Sequence, residues 1–288
     1  MSLTANLTAH RSARSRTTLR NVAVAVLSVA MLVPLYIVVV NAFKPQQEIL
    51  LSPLGFDPAT ATTQFLQDAW TNPNFPVVSG YAVTLFLVVA CNVVAIGASI
   101  PTAYVIARTP TVLFRFLLMF FVAGMFIPAQ IILVPAIFVL KALHLMGTLP
   151  GLVLFMSSTM IPFTLFIFTG YIRMLPRSLD EAAAIDGASQ QRVLWRIVFP
   201  LMKPIVATAF ILNALSAWND FVSPQLILGP GSSFRTITTG VYAAVSSYTT
   251  NYEIVFPTLL LAVVPILLIF VVMQRHVMSG LSAGAVKG

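Results

Sequence analysis

The polar stretch RMLPRSLDEAAAIDGASQQRVLWRIVFPLMKP, residues 173–204, carries eight of the 24 charged residues of the chain and interrupts long apolar blocks. Within it, Ser178 is followed three residues later by Glu181, which is the spacing of a capping box and predicts a helix over 179–186. Gly187 fits the left-handed position at which such a helix ends. Two turns are too few for a helix to persist alone in water, so we expect a partner to hold it.

A second helix is expected between Ser189 and Pro200, lying along the membrane surface. Its apolar residues gather on one face, two arginines share the other face, and a tryptophan can sit at the level of the lipid headgroups. These residues are Val193, Leu194, Ile197 and Val198, then Arg192 and Arg196, then Trp195. On residue spacing alone, an ordinary amphipathic connector between two spans also explains the whole stretch.

On both sides of this stretch the chain consists of long apolar blocks. Of 288 residues, 58% are hydrophobic and 8% charged, with a mean hydropathy of +0.94, which is too little charge for the surface of a soluble protein of this size. About 20 helical residues cross a hydrocarbon core of about 30 Å. We therefore expect an all-α, polytopic membrane protein with six transmembrane helices, at 21–43, 77–106, 116–140, 149–172, 204–227 and 254–274.

The spans set the expected organisation of the chain. Prolines inside them, Pro128 among others, predict kinks that neighbouring helices in a bundle tolerate. The expected parts are a tail over 1–20, a first transmembrane helix over 21–43, an external loop over 44–76, a five-helix core over 77–275 that contains the polar loop 173–204, and a tail over 276–288.

The basic residues indicate the orientation. Thirteen of the sixteen lysines and arginines fall on the side of the two tails and the polar loop, and only Lys44, Lys141 and Arg235 fall on the other side. Because cytoplasmic loops carry the excess of lysine and arginine, both termini are predicted to be cytoplasmic.

Composition disfavours several function classes. Cys91 is the single cysteine and the three histidines are far apart, so we predict no metal site and no catalytic residues. The net charge of +8 is spread between the apolar blocks, which argues against nucleic-acid binding. None of the four lysines follows a glycine, so the sequence has no phosphate-binding loop of the GxxxxGK[ST] type.

Several motifs carry a family resemblance. Four of them resemble the EAA loop in permease subunits of binding-protein-dependent ABC importers: Glu181-Ala182-Ala183, Ile185-Asp186-Gly187, Ile197-Val198-Phe199-Pro200 and Lys203-Pro204. Three others resemble the carbohydrate-uptake branch, of maltose and glycerol-phosphate type: Phe43-Lys44-Pro45, Trp218-Asn219-Asp220-Phe221 and the C-terminal residues 280–288. The chain departs from this pattern at Tyr81-Ala82, where such permeases usually carry Asn-Ser.

The resemblance implies a heteromeric importer in a bacterial or archaeal plasma membrane. Its expected partners are a second homologous permease subunit, two ATPase subunits, an extracytoplasmic solute-binding protein that delivers a sugar or sugar-like solute, and membrane lipid. ATP and Mg would be bound by the ATPase subunits, and no cofactor by this chain. The helix over 179–186 would be the coupling helix, which implies ATPase-coupling roles for Ser178, Glu181, Ala182, Ala183, Asp186 and Gly187.

Asp220 is the only charged residue inside the six predicted spans. A carboxylate facing lipid is costly, so we expect it to point into the bundle, with Trp218 and Asn219 beside it. Aromatic, amide and carboxylate groups suit a sugar, and Gln130 and Asn213 are expected to add to the lining. An equally supported alternative is that Asn219 and Asp220 cap a broken helix or bond to the partner permease.

A self-contained secondary transporter or channel is the alternative function. Coupling to protons or sodium usually requires more intramembrane ionisable residues than the single Asp220. A membrane-embedded enzyme is disfavoured further, because the spans carry no paired carboxylates and no serine–histidine constellation.

Overall fold

The computed structural model describes the backbone of residues 3–72, 77–229, 231–247 and 251–285, and the side chains of 20–72, 77–229, 231–243 and 251–271. All regular secondary structure in these residues is helical, as predicted. The chain divides into two compact units, one formed by residues up to 71 together with 245–261, and the other by 72–244 together with 262–288.

The first unit contains one long helix and two short ones. Residues 22–33 of the long helix are exposed and mostly apolar, as expected of a helix surrounded by lipid. The predicted tail 1–20 continues this helix back to Leu3, because charged residues end a membrane span without ending a helix. The predicted loop 44–76 contains the short helices. These helices are α1 (Leu3–Asn41), α2 (Gln46–Leu51) and α3 (Gln64–Trp70).

A buried lysine organises the chain after α1. Lys44 is 1% exposed, and its Nζ donates to Asn41 Oδ1 at 3.1 Å and to the carbonyl oxygens of Ser52 and Gly55 at 2.6 and 2.7 Å. A buried ammonium is tolerated only when such acceptors surround it. Lys44 therefore holds the turn after α2 against the end of α1.

The second unit is built around two tightly packed helices, α4 and α7, with α10 against both. Small side chains on α4, including the fully buried Cys91, Ala95 and Ala103, let α7 approach closely. Its helices are α4 (Val77–Arg108), α5 (Val112–Gly124), α6 (Ala129–Ala142), α7 (Leu149–Met174), α8 (Ser178–Ile185), α9 (Gln190–Val193), α10 (Phe199–Asn219) and α11 (Val222–Ile227).

Two further helices belong to both units. These are α12 (Ile237–Ser247) and α13 (Tyr252–Ala285). The backbone of α13 runs past the predicted end of the last span into the predicted tail 276–288. The side chains of this tail lie outside the described residues, and so do residues 286–288 altogether.

The third predicted span is not one straight helix. Five described helices are long and apolar enough to cross a membrane, and the six predicted spans are reached when α5 and α6, which meet at 104°, count as one bent span. The kink predicted at Pro128 lies at the predicted position, but it is a break between two helices and not a bend within one helix. Pro128 has no N–H to continue α5 and takes an extended ψ of 132°, so a new helix begins at Ala129.

The helix predicted to end before Pro200 continues instead into α10. Between α9 and α10, Leu194–Val198 form a π-helical turn, and the Phe199 N–H donates to the Leu194 carbonyl five residues back. This widened turn accommodates Pro200, which as the second residue of α10 lacks the N–H of an ordinary helical residue. The stretch Gln190–Asn219 is therefore one candidate span.

Candidate functional site

The coupling-loop helix α8 starts one residue earlier than predicted, and the capping box does not form. Arg177, with helical φ of −67° and ψ of −24°, is the N-cap, and its side chain makes no capping hydrogen bond. The Glu181 N–H, which a Ser178 cap would satisfy, donates instead to the Arg177 carbonyl at 3.1 Å. Because the turn at Pro176 and Arg177 already supplies these acceptors, the Ser178 hydroxyl has no amide left to cap.

The end of α8 confirms the predicted left-handed glycine. Gly187 has a φ of +74°. The Gly187 N–H donates to the Ala184 carbonyl at 3.0 Å, and the Ala188 N–H donates to the Ala183 carbonyl at 2.9 Å. These two bonds form a Schellman motif, which satisfies the last carbonyls of the helix and turns the chain toward α9.

The predicted coupling residues divide between two sides of α8. Ala183 is its one buried residue and packs into the core formed by α4, α7 and α10. Ile185, whose side chain is 87% exposed, points away from this core. The other predicted residues, Ser178, Glu181, Ala182, Asp186 and Gly187, are exposed as well. The outer side of α8 is therefore available to a partner, whereas Ala183 serves internal packing.

An ion pair that sequence reasoning missed attaches α8 to α4. Arg108 Nη2 lies 2.8 Å from Asp180 Oδ2, and the Tyr104 hydroxyl donates to Asp180 Oδ1 at 2.7 Å. Arg108 Nη1 also donates to the Leu175 carbonyl, at 3.1 Å, at the end of α7. We call Tyr104, Arg108 and Asp180 the α4–α8 clamp. The sequence offered one signal for this contact: Tyr104 and Arg108 lie one helical turn apart at the end of a predicted span.

The amphipathic faces predicted after Ser189 are confirmed. The Ser189 hydroxyl accepts from the Arg192 N–H and caps α9. Val193, Leu194 and Val198 are buried, whereas Arg192, Trp195 and Arg196 are exposed. The apolar side of this segment packs on the same core as Ala183.

A second site lies at the far end of α10, where a cavity of about 560 Å³ opens. Of the five predicted path residues, Gln130, Asn219 and Asp220 line it. The other lining residues are six apolar or aromatic ones, Ala129, Leu133, Phe155, Leu215, Phe221 and Val222, and three that carry hydroxyls, Thr159, Ser216 and Ser223. Asp220 is the one charged residue among those described around the cavity.

The two other predicted path residues do not line this cavity. Asn213 is 4% exposed, and its Nδ2 donates to the Thr164 hydroxyl on α7 at 3.2 Å. Trp218 is 3% exposed and its ring lies 6.3 Å from that of Tyr81. Both side chains lie on the side of α10 that faces α4 and α7, so they hold α10 within the bundle.

Asp220 ends α10 and caps the next helix, so the fifth span predicted to reach residue 227 is wrong. With ψ of 119°, Asp220 is extended, and its Oδ1 accepts from the Ser223 N–H at 3.1 Å in the first turn of α11. Asn219 Nδ2 donates to the Leu215 carbonyl at 2.9 Å. Asp220 thus combines the capping role that the sequence left open with a position on the cavity wall.

Comparison with known proteins gives concordant similarities. Residues 99–282 match the family described as binding-protein-dependent transport system inner membrane component. The chain is 34% identical over 266 residues to the multiple sugar-binding transport system permease protein MsmG of Streptococcus mutans, covering 90% of this chain and 93% of that protein. It is 31% identical to the diacetylchitobiose uptake system permease protein NgcG of Streptomyces coelicolor, covering 90% and 85%.

A solved structure is similar in fold. One chain of a bacterial ABC transporter involved in the import of the acidic polysaccharide alginate superposes with a TM-score of 0.80, covering 92% of this chain and 97% of that one. The two sequences are 19% identical, so this similarity speaks to the fold alone.

Proposed function

Since the chain belongs to the family of binding-protein-dependent transport system inner membrane components, we propose that it is the permease subunit of an ATP-driven ABC importer for a sugar or sugar-like solute. The observation that carries this proposal is α8, a short helix tied to its neighbours whose outer side, including Ile185 at its C-terminal end, has no cover within the described residues. A secondary transporter has no need of such a helix.

The importer requires ATP hydrolysis, which we assign to partner subunits. The sequence carries no phosphate-binding loop, so ATP and Mg would be bound by two ATPase subunits and not by this chain. The outer side of α8 would dock on one of them through Glu181, Ala182, Ile185 and Asp186. Ser178 opens this helix, and Gly187 closes it.

The cavity at the end of α10 is the proposed contribution of this chain to the solute path, shared with a second permease subunit. Its amide, hydroxyl and carboxylate groups can hydrogen-bond sugar hydroxyls, and Phe155 and Phe221 offer apolar walls. The described lining includes Asp220 but no lysine, arginine or histidine. Uncharged, hydroxyl-rich solutes therefore fit it better than anionic ones. An extracytoplasmic binding protein would deliver them.

The protein is a multi-pass component of the inner membrane, and we assign both termini to the cytoplasm. This orientation rests on the thirteen to three distribution of basic residues, which puts α8 and Arg173 to Lys203 on the cytoplasmic side. The cavity, at the other end of α10, then faces outward, where a binding protein would release its solute.

Co-purification tests the ATPase contact. The tagged chain is expressed with its second permease and ATPase subunits, as wild type, as Ile185→Asp and as the control Gln191→Asp. Both side chains are exposed, so neither change disturbs packing within the chain. Ile185→Asp is expected to lose the ATPase subunits, because it puts a charge into the apolar part of the contact, and Gln191→Asp is expected to keep them. Equal retention in both variants would refute docking through α8.

A further inference from the structure

We propose that the α4–α8 clamp makes the coupling helix move as one rigid body with α4 during transport, with Asp180 and Arg108 as the positioning residues. The inference rests on the proposed function, because it needs α8 to contact an ATPase subunit. It adds to that function the ion pair between Arg108 and Asp180, which would hold a membrane span and the ATPase-contacting helix in a fixed relative position.

The helix α8 has few other attachments. Of its eight residues only Ala183 is buried, and the small alanine side chain provides little contact area. A two-turn helix is not stable alone, so its position depends on what ties it to the longer helices. Asp180 is the one acidic residue of α8 that is partly buried, and it faces α4.

The clamp geometry restrains α8 in more than one direction. Tyr104 and Arg108 project from successive turns of α4, and each takes a different carboxylate oxygen of Asp180. The second nitrogen of the same guanidinium holds the Leu175 carbonyl, where α7 ends. The hydrogen bonds from Tyr104 to Asp180 and from Arg108 to the Leu175 carbonyl, together with the attraction between the Arg108 and Asp180 charges, restrain α8 relative to α4 and to the end of α7.

Partial burial makes the pair more than a surface contact. The Arg108 and Asp180 side chains are 12% and 21% exposed, so water competes little for their charges. Exposed ion pairs contribute little because both partners remain fully solvated, whereas these two side chains are mostly shielded from water. Removal of either charge leaves the other partly buried without its counter-charge.

The opposite end of α4 contacts the end of α10, whose last residues form part of the cavity wall. The ring of Tyr81, near the start of α4, packs on Trp218, which directly precedes Asn219 and Asp220 of the cavity wall. The Ile237 N–H at the start of α12 donates to the Thr84 hydroxyl at 2.9 Å. One continuous helix of 32 residues therefore contacts the cavity region at one end and α8 at the other. A displacement of α4 at its outer end would be carried to α8 through the clamp, in addition to the packing of Ala183.

Spin-label distances in the assembled importer test this inference. In a Cys91→Ser background, labels are placed at Thr102→Cys on α4 and Arg177→Cys at the start of α8, both exposed positions outside the clamp. The distance is measured by pulsed electron paramagnetic resonance without nucleotide and with ATP in the absence of Mg. The clamp predicts one narrow distance that is the same in both states. A wild-type distance that shifts between the two states overturns the proposal without any variant.

Substitutions distinguish the effect of the clamp on this distance from the effect of packing between the helices. Arg108→Gln and Asp180→Asn should broaden the distance distribution and shift it between the two states, and Tyr104→Phe, which loses one hydrogen bond, should broaden it less. The control Arg173→Gln removes an exposed arginine from the end of α7 and should behave as wild type. Narrow, unchanged distances in the first two variants refute the clamp. If wild type itself fails to retain ATPase subunits, the proposed function fails instead.

Discussion

Replacement of Gly187 by valine is the most informative single change in the coupling loop. Gly187 has a φ of +74°, and a Cβ built on it meets no other atom within 4 Å. The new Cβ therefore meets no atom, and the expected effect comes from the left-handed backbone, which residues with a Cβ rarely adopt.

The magnitude follows from that conformation. A residue with a Cβ in the left-handed region costs about 1–2 kcal/mol, and a β-branched valine lies at the upper end. The chain can relieve this strain by opening the two hydrogen bonds that end α8, from Gly187 to Ala184 and from Ala188 to Ala183. At about 1.4 kcal/mol per factor of ten, ATPase association through α8 should weaken about 5- to 30-fold.

The assay is a titration of purified ATPase subunits against the permease pair in nanodiscs. Gly147→Val is the matched control, because Gly147 has a φ of +79° and also has no atom within 4 Å of a built Cβ, but lies between α6 and α7. Both variants carry the same backbone strain, so general instability would affect both. Equal ATPase affinity in Gly187→Val and Gly147→Val would refute the reasoning that the end of α8 positions the docking surface.

Three further predictions concern topology, the cavity and the packing of α10. A cysteine at Ser178, in a Cys91→Ser background, should react with a membrane-impermeant maleimide only in inverted vesicles, and labelling of intact cells would reverse the predicted orientation. Asp220→Asn keeps an oxygen that can cap α11 but removes the charge, so the apparent affinity for a transported sugar should fall about tenfold, while Asp220→Glu should lose less. Asn213→Ala, which removes a buried hydrogen bond to Thr164, should instead lower the stability of the protein by about 1 kcal/mol and leave the apparent affinity unchanged. A loss of apparent affinity in Asn213→Ala but not in Asp220→Asn would exclude Asp220 from the path.

The helical spans were predictable because lipid permits few alternatives. A charge-free run of sufficient length must form a helix to satisfy its own backbone, and α4 and α7 begin at the predicted residues 77 and 149. Gly187 was predictable because the left-handed end of a helix selects for glycine.

The features that sequence reasoning missed depend on context. Ser178 and Glu181 have the capping-box spacing, but the preceding turn at Pro176 and Arg177 satisfies the same amides first. The 104° bend after Gly124 exceeds what one proline requires, since α5 and α6 pack separately against α7. The α4–α8 clamp joins side chains 72 and 76 positions apart, and no local pattern reports which distant charges meet.

Solute uptake into proteoliposomes distinguishes an ATP-driven importer from a secondary transporter. Vesicles contain this chain and its permease partner, with or without the ATPase subunits, and receive radiolabelled maltose, raffinose or diacetylchitobiose together with the binding protein. We expect uptake of at least one sugar only when ATPase subunits, internal ATP with Mg and binding protein are all present. Uptake by the permease pair without ATPase subunits, driven by a proton or sodium gradient, would contradict this expectation and indicate a secondary transporter.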